Sequence, residues 1–271
     1  MLDPLDPLSI DNAIADTMFA GKLRVFPALP STNSLAMQEA DAGAEHGTVY
    51  LADEQTAGRG RGDHDWHSES GAGIYLSALL RPAIAPADVL WLSLAAGIAV
   101  HNAIEAVTTL KPDLRWPNDL LFGPRKFAGI LTELNAEVTR VRHVVIGIGI
   151  NVHQERFGGD LRHTATSLRI ESGRDWSRQE LVVALLQSLH REVSLLMSAA
   201  TVQGAAAEIP PRIEMISSWV KGKRVYVEET DSFSGITAGL DERGFLLVQT
   251  NNGMRTVLSG GVREPKSTPF R

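Results

Sequence analysis

The run VRHVVIGIGINV, residues 141–152, restricts the choice of fold more than any other stretch of the chain. β-Branched residues follow one another with little polar interruption, so the strand they form belongs in the middle of a sheet, covered on both faces. Its end, GIGIN, gives up side chains at 147 and 149, as expected where another group comes close to the backbone. Around this strand the pattern mixes strands and helices. RVFPAL (24–29), TVYLADEQ (48–55) and GIYLSALLR (73–81) read as strands, and STNSLAMQEADAG (31–43) opens on a Ser/Thr cap and continues as a helix. Apolar residues at helical spacing, starting after a proline, predict a buried helix over 86–107. RWPNDLLF and FAGILTELNA predict a hairpin turned by GPRK. Residues 178–199 predict an amphipathic helix whose apolar face includes Leu181, Leu185, Leu189, Leu195 and Leu196, and a further helix is expected over 205–220.

The first 22 residues read as a loose amino-terminal extension, and the last nine, REPKSTPFR, as a frayed tail. From Lys221 the helical period disappears. Short strands separated by DERG and NNG turns follow, predicting a small β-barrel and a domain boundary near residue 220. An overall α+β fold results. No internal repeat interrupts it.

Charge limits the partners. With 26 Lys+Arg against 32 Asp+Glu, the net charge of −6 argues against a broad surface for nucleic acid or anionic membrane, so any basic site must be local. The absence of cysteine removes disulfides, thiolate catalysis and Cys-ligated metals, and suits a reducing cytoplasm. The opening MLDPLDPLSIDNAIAD has acids and prolines where an export signal would have a basic region and an apolar run. VLWLSLAAGIAV is shorter than the roughly 20 apolar residues of a membrane span.

The local basic site is DEQTAGRGRGDHDWHSESGAG, residues 53–73. A short Gly/Arg cluster is most often a mobile surface loop. This one directly follows a strand, so its backbone N–H groups could form an anion nest while Arg59 and Arg61 add forked cationic donors. It matches neither the GxGxxG dinucleotide fingerprint nor the GxxxxGK[ST] phosphate loop. Asn118 and Asp119 could be turn residues and Lys126 a solvated lysine. Yet Lys126 precedes the apolar FAGIL, which would aim its ammonium over the sheet edge. GIGIN offers a strand end of the kind where ligands bind in α/β sheets. His101, His143, His163 and His190 stand singly and His64 and His67 are three apart in a loop, so no metal site is read from them; Trp91 and Trp219 are expected in the core.

Taken together, STN (31–33), EQTAGRGR (54–61) with Trp66, RWPND (115–119), RKFAGIL (125–131) and GIGIN (147–151) resemble the biotin protein ligases in order and spacing. The resemblance implies a class II aminoacyl-tRNA-synthetase-like mixed sheet with helices as a catalytic biotin- and ATP-binding domain over 23–220, after an extension over 1–22. A carboxy-terminal SH3-like β-barrel follows over 221–271. It also implies the activity: biotin and ATP, with Mg²⁺, give biotinyl-5'-AMP, and biotin passes to a lysine of the biotin carrier domain of an acetyl-CoA carboxylase. Ser31, Thr32, Asn33 and Gln55 would bind biotin's ureido end, and Arg59, Gly60 and Arg61 would cover its carboxylate and the phosphate. Lys126 would be the catalytic electrophile, assisted by Arg59 and Arg61. Trp66, Asn118, Asp119, Gly149 and Asn151 would serve the nucleotide, with Asp119 alternatively steering the incoming lysine. No protein metal ligand is implied.

Two departures stand out. The family loop commonly reads GRGRRGR, whereas Gly62, Asp63 and His64 occupy the later positions here. About 20 residues also leave no room for the DNA-binding module that some members carry, so no repressor function is expected. A lipoate or octanoate ligase and a non-catalytic biotin sensor are the rival readings. An exposed strand edge could pair two copies into a homodimer or dock the carrier.

Overall fold

The computed structural model describes residues 4–62, 64–198, 207–258 and 260–265. The end of the expected tail, Asp63 and the beginning of the helix expected from 205 lie outside the described residues.

Seven strands form the larger sheet: β1 (Leu23–Phe26), β2 (Val49–Ala52), β3 (Gly73–Leu80), β4 (Asp113–Arg115), β5 (Asp119–Phe122), β6 (Arg125–Ala136) and β7 (Val141–Asn151). Their order is β1-β2-β3-β7-β6-β5-β4, parallel between β1 and β2 and antiparallel elsewhere. The apolar run at 141–152 is therefore the fourth and central strand. On one face, Ile74, Leu76, Ala78 and Leu80 of β3 join Val144, Ile146, Ile148 and Ile150 of β7 in a core with α3 (Val89–Thr108) and α6 (Arg178–Ser198). Each of the Ile, Leu and Val side chains contributes about 1.5–3 kcal/mol by leaving water. The opposite face holds Tyr50, Leu79 and Val145 beneath Ala36 and Ala40 of α2 (Thr32–Asp41). Length and composition alone would let α3 cross a membrane, but it is largely buried inside this fold.

Three elements differ from expectation. The amino-terminal segment is not loose: Asp6 caps α1 (Pro7–Ala13), and Ile10, Ile14 and Phe19 are fully buried in the main core. Ile10 and Ile14 lie on one helical face, a signal too short to stand out among prolines and acids. The helix expected over 205–220 is described only as α7 (Ile209–Ile216). It stops because Ser217 Oγ donates to Leu114 O at 2.5 Å and Ser218 N to Asp113 Oδ1 at 2.8 Å, drawing the chain along β4. Leu195, expected on the apolar face of α6, is 51% exposed. The short helices α4 (Leu161–Thr164) and α5 (Leu168–Ser172) are below the length at which periodicity can announce a helix.

From Lys221 a second, antiparallel sheet contains β8 (Lys221–Glu228), β9 (Phe233–Leu240), β10 (Leu246–Thr250), β11 (Gly253–Val257) and β12 (Gly261–Arg263) in the order β11-β10-β9-β8-β12. Its apolar face, Val225, Val227, Leu246, Val248, Val257 and Val262, is continuous with the main core. The turn before β10 docks through Trp116 Nε1, which donates to Gly244 O at 2.9 Å. Gly244 has φ +86° and lies so close to α3 that a Cβ there would sit 3.0 Å from Leu94.

Candidate functional site

The covered face of the larger sheet changes character along its central strand. Val145 packs beneath α2, but the next two residues on that face, Gly147 and Gly149, have no side chain. Register carries this bare floor across the sheet. Gly149 pairs with Tyr75 on β3 and Gly129 on β6, and Gly147 with Ser77 and Leu131. The space above the glycines is already claimed: a Cβ on Gly147 would lie 2.1 Å from Asn33 Oδ1, and one on Gly149 2.5 Å from the Trp66 indole. The glycines let Asn33 and Trp66 reach the sheet. Asn33, Trp66, Tyr75, Gly129, Leu131, Gly147 and Gly149 line a cleft, with Ser77 buried behind it.

One end of the cleft is rich in hydroxyls and amides. Ser31 caps α2 and buries Thr32 and Asn33 in the first turn. Gln55 Oε1 accepts from Thr32 N at 2.8 Å and Thr32 Oγ1 at 3.0 Å, while its Nε2 donates to Ser68 Oγ at 2.9 Å. Ser77, fully buried on β3, lies 2.8 Å from Thr32 Oγ1 and 2.5 Å from Asn33 Oδ1. Asn33 Nδ2 donates to Leu131 O at 3.2 Å and Glu133 Oε2 at 2.9 Å. With both donors occupied and Ser77 Oγ donating to it, Oδ1 packs against the glycine floor with one acceptor lone pair left.

The side covered by the Gly/Arg loop is cationic. The Gly/Arg loop folds back as a short hairpin, with Gly60 N donating to His64 O at 2.7 Å and Trp66 N to Gly58 O at 2.9 Å. These two N–H groups are used within the loop, and Arg59 and Arg61 add guanidinium charge beside it. Gly62 turns the exposed tip at φ +62°, a conformation a side chain would adopt only with strain, which accounts for glycine where the resemblance expected a basic residue. Arg59 forms an ion pair with Glu133, and Arg61 donates to Asn118 Oδ1 at 3.1 Å. Lys126 lies 5.3 Å from the Trp66 ring centroid and 2.6 Å from Asp119, which also receives Arg115 at 2.6 Å.

Burial alone would raise the Asp119 carboxyl, but Lys126 and Arg115 outweigh it by charge and hydrogen bonding and hold it below its ordinary value. A depressed native pKa means that the triad stabilises the fold in full above the unfolded value of about 4 and loses that contribution as pH falls through the native one. Asp119→Asn is therefore expected to melt below wild type at pH 7, with the gap closing in acid. A gap that persisted undiminished at the lowest pH where both variants fold would show that the carboxylate charge is not what binds the triad.

Of the residues singled out from sequence, Ser31, Thr32, Asn33, Gln55, Arg59, Gly60, Arg61, Trp66, Asn118, Lys126 and Gly149 all line the cleft. Asp119 is behind it, reaching it through Lys126. Asn151 is outside the lining, buried with its Nδ2 donating to Thr166 O at 3.0 Å. Tyr75, Ser77 and Glu133 were missed. Tyr75 and Ser77 are polar positions in an otherwise apolar strand, a signal that was available; burial pushes the Tyr75 hydroxyl well up, keeping it protonated as it donates to Glu69 O at 2.9 Å. Glu133 resembled any charge on a half-exposed strand. The histidines His101 and His190 make backbone contacts, His101 with Pro112 O at 2.8 Å and His190 accepting from Met18 N at 3.2 Å.

A mixed sheet whose glycine floor is ringed by hydrogen-bonding side chains and by Arg59, Arg61 and Lys126 suits a ligase that activates an acyl group. Comparison with known proteins specifies the family. The model of the biotin/lipoate A/B protein ligase family matches residues 25–151, and that of the biotin protein ligase C terminal domain matches 221–262. The bifunctional ligase/repressor BirA of Bacillus subtilis is 35% identical over 239 residues, covering 86% of this chain and 71% of its own. The biotin--[acetyl-CoA-carboxylase] ligase of Mycobacterium tuberculosis is 33% identical over 264 residues, 95% of this chain and 94% of its own. A solved biotin protein ligase from Aquifex aeolicus in complex with biotin and ATP is similar with a TM-score of 0.77 and 29% identity, over 90% of this chain and 100% of that one. The chain belongs to the biotin protein ligases.

Proposed function

We propose that the protein joins biotin to ATP and passes the biotinyl group to one lysine of a carboxylase's biotin carrier domain. The observation that carries this reading is the single cleft in which the acceptor-rich wall, the two loop arginines and Lys126 meet over Gly129, Gly147 and Gly149. Biotin's ureido ring would donate to Asn33 Oδ1 and bond with Ser31, Thr32 and Gln55, while its carboxylate lies toward Arg59, Gly60 and Arg61. An oxygen of that carboxylate attacks the α-phosphorus of ATP. As this bond forms, the one to the bridging oxygen breaks and pyrophosphate leaves. Both reactants are anionic, so Lys126, Arg59 and Arg61 act by neutralising the charge that gathers between them.

Trp66, Asn118 and Gly149 serve the nucleotide side, and Asn151 steadies the end of the floor through Thr166. Mg²⁺ would neutralise the triphosphate; the Asp119 oxygens are engaged by Lys126 and Arg115, so the ion would be held mainly by phosphate oxygens. In the second step an uncharged carrier amine attacks the acyl carbon and AMP departs. A carboxylate held at low pKa is a weak base and both Asp119 oxygens are engaged, so Asp119 orients Lys126 and the proton of the attacking amine passes to water or the departing phosphate.

We further read the larger sheet as class II aminoacyl-tRNA-synthetase-like and the second as an SH3-like barrel, divided near residue 220. A cytoplasmic enzyme without nucleic-acid or membrane partners fits the charge balance, and a homodimer is compatible with the open sheet edge. Intact mass of an unbiotinylated carrier domain, after incubation with the protein, biotin, ATP and Mg²⁺, tests the central reading. One biotinyl group should be gained only with ATP. No gain together with no pyrophosphate would favour the lipoate or sensor readings.

A further inference from the structure

We propose that Glu133 is a positioning residue that fixes the Gly/Arg loop and the biotin-facing amide of Asn33 from a common carboxylate on β6. The inference rests on the ligase reading only in taking Arg59 to cover the substrate anions. The loop reaches across the cleft at two points. Arg61 donates to a neutral amide, Asn118 Oδ1 at 3.1 Å, whereas Arg59 meets the Glu133 carboxylate, a charge-assisted contact between residues 74 apart in sequence. Glu133 is thus the ionic anchor of the loop on the sheet. Gly60, between the two arginines, lines the cleft beneath the span they define.

The same carboxylate acts on the other wall. Glu133 Oε2 accepts from Asn33 Nδ2 at 2.9 Å beside Leu131 O at 3.2 Å, which selects the amide orientation that leaves Oδ1 toward Gly147. An acceptor for a ligand N–H and a cation for a ligand carboxylate are consequently set by one side chain. Arg59 and Glu133 have side chains 44% and 27% exposed. A pair so open to water adds little to global stability, so its effect is local.

Glu133→Gln tests this. Glutamine keeps the size and an acceptor oxygen for Asn33 while removing the charge that holds Arg59. Carrier-free protein loaded with radiolabelled adenylate and chased should lose it about fivefold faster than wild type, the scale of one partly exposed ion pair. The melting temperature should stay at the wild-type value, while retention, biotin KM and, because Arg59 also neutralises the adenylation transition state, the turnover number should all move in the direction set by Arg59→Ala. In an Arg59→Ala background, Glu133→Gln should have no further effect on retention, since the partner through which it acts is gone. Unchanged retention in the single variant, or the same fold-change with and without Arg59, would overturn the inference while leaving an active wild type and the ligase reading intact. A wild type that forms no adenylate would overturn both.

Discussion

Replacing Lys126 with methionine should reduce the turnover number for adenylate formation by about 10²–10³-fold, the cost of removing one pre-positioned donor from a charged transition state. Biotin affinity should change far less. The ammonium is fixed by Asp119 at 2.6 Å and stacks over Trp66 at 5.3 Å from the ring centroid, so it is oriented before substrate arrives. Methionine retains an unbranched apolar stem over Gly129, where a Cβ would lie 2.9 Å from Lys126 Cε, and removes only the charge. Charge between carboxylate and α-phosphate is greatest as the new bond forms. The loss therefore belongs in turnover rather than in ground-state binding. Lys126→Arg should rescue poorly, because a planar fork cannot reproduce a compact point charge beside Asp119. ATP–pyrophosphate exchange at saturating biotin reads the step directly. Turnover within tenfold of wild type in the methionine variant would remove Lys126 from the catalytic role.

Gly147→Ala should be the most damaging single-methyl addition in the cleft. The new Cβ would stand 2.1 Å from Asn33 Oδ1 and 2.7 Å from Cγ, and Asn33 cannot yield easily: it is 4% exposed, lies in the first turn of α2 and is tied to Leu131 and Glu133. Either α2 lifts or the amide turns away. Overpacking of this kind costs about 1–3 kcal/mol of stability. Losing the Asn33 acceptor and disturbing its neighbours should weaken biotin binding by about 10²-fold, corresponding to one or two unsatisfied polar groups at roughly 1–3 kcal/mol each. Gly158→Ala is the matched control, because nothing lies within 4 Å of the added methyl. Calorimetric titration with biotin, alongside thermal melting, distinguishes the two. Wild-type biotin affinity in Gly147→Ala would show that Asn33 does not set the acceptor wall.

Much of the cleft was legible in its motifs taken together. Arg59 and Arg61 on glycine, Lys126 ahead of FAGIL and the bare positions of GIGIN are each weak signals alone, and it is their order and spacing with STN and RWPND, resembling the biotin protein ligases, that marked the cleft. Ser77 and Glu133 are ordinary in their own strands and acquire meaning only opposite Gly147 and beside Asn33. The burial of Ile10, Ile14 and Phe19 was hidden for a related reason: a helix of about two turns supplies too little periodicity to outweigh prolines and acids around it. The hairpin folded by the Gly/Arg loop was equally inaccessible, since glycine permits both an open nest and the Gly60-to-His64 hydrogen bond.

By itself, the sequence determined the central strand at 141–151, the buried helix before β4 and the change to an all-strand pattern at Lys221, because hydrophobic period and turn chemistry act over a few neighbouring residues. It also marked the basic loop and Lys126 as the places where charge would be handled. Only the tertiary structure decided which side chains share the cleft. Pairing of Gly147 with Ser77 and Leu131, and of Gly149 with Tyr75 and Gly129, joins segments distant in the chain, and a slip of one residue would turn each of those side chains to the opposite face. Register is settled by the packing of both faces at once, α3 and α6 on one and α2 with Trp66 on the other, a condition no single segment can encode.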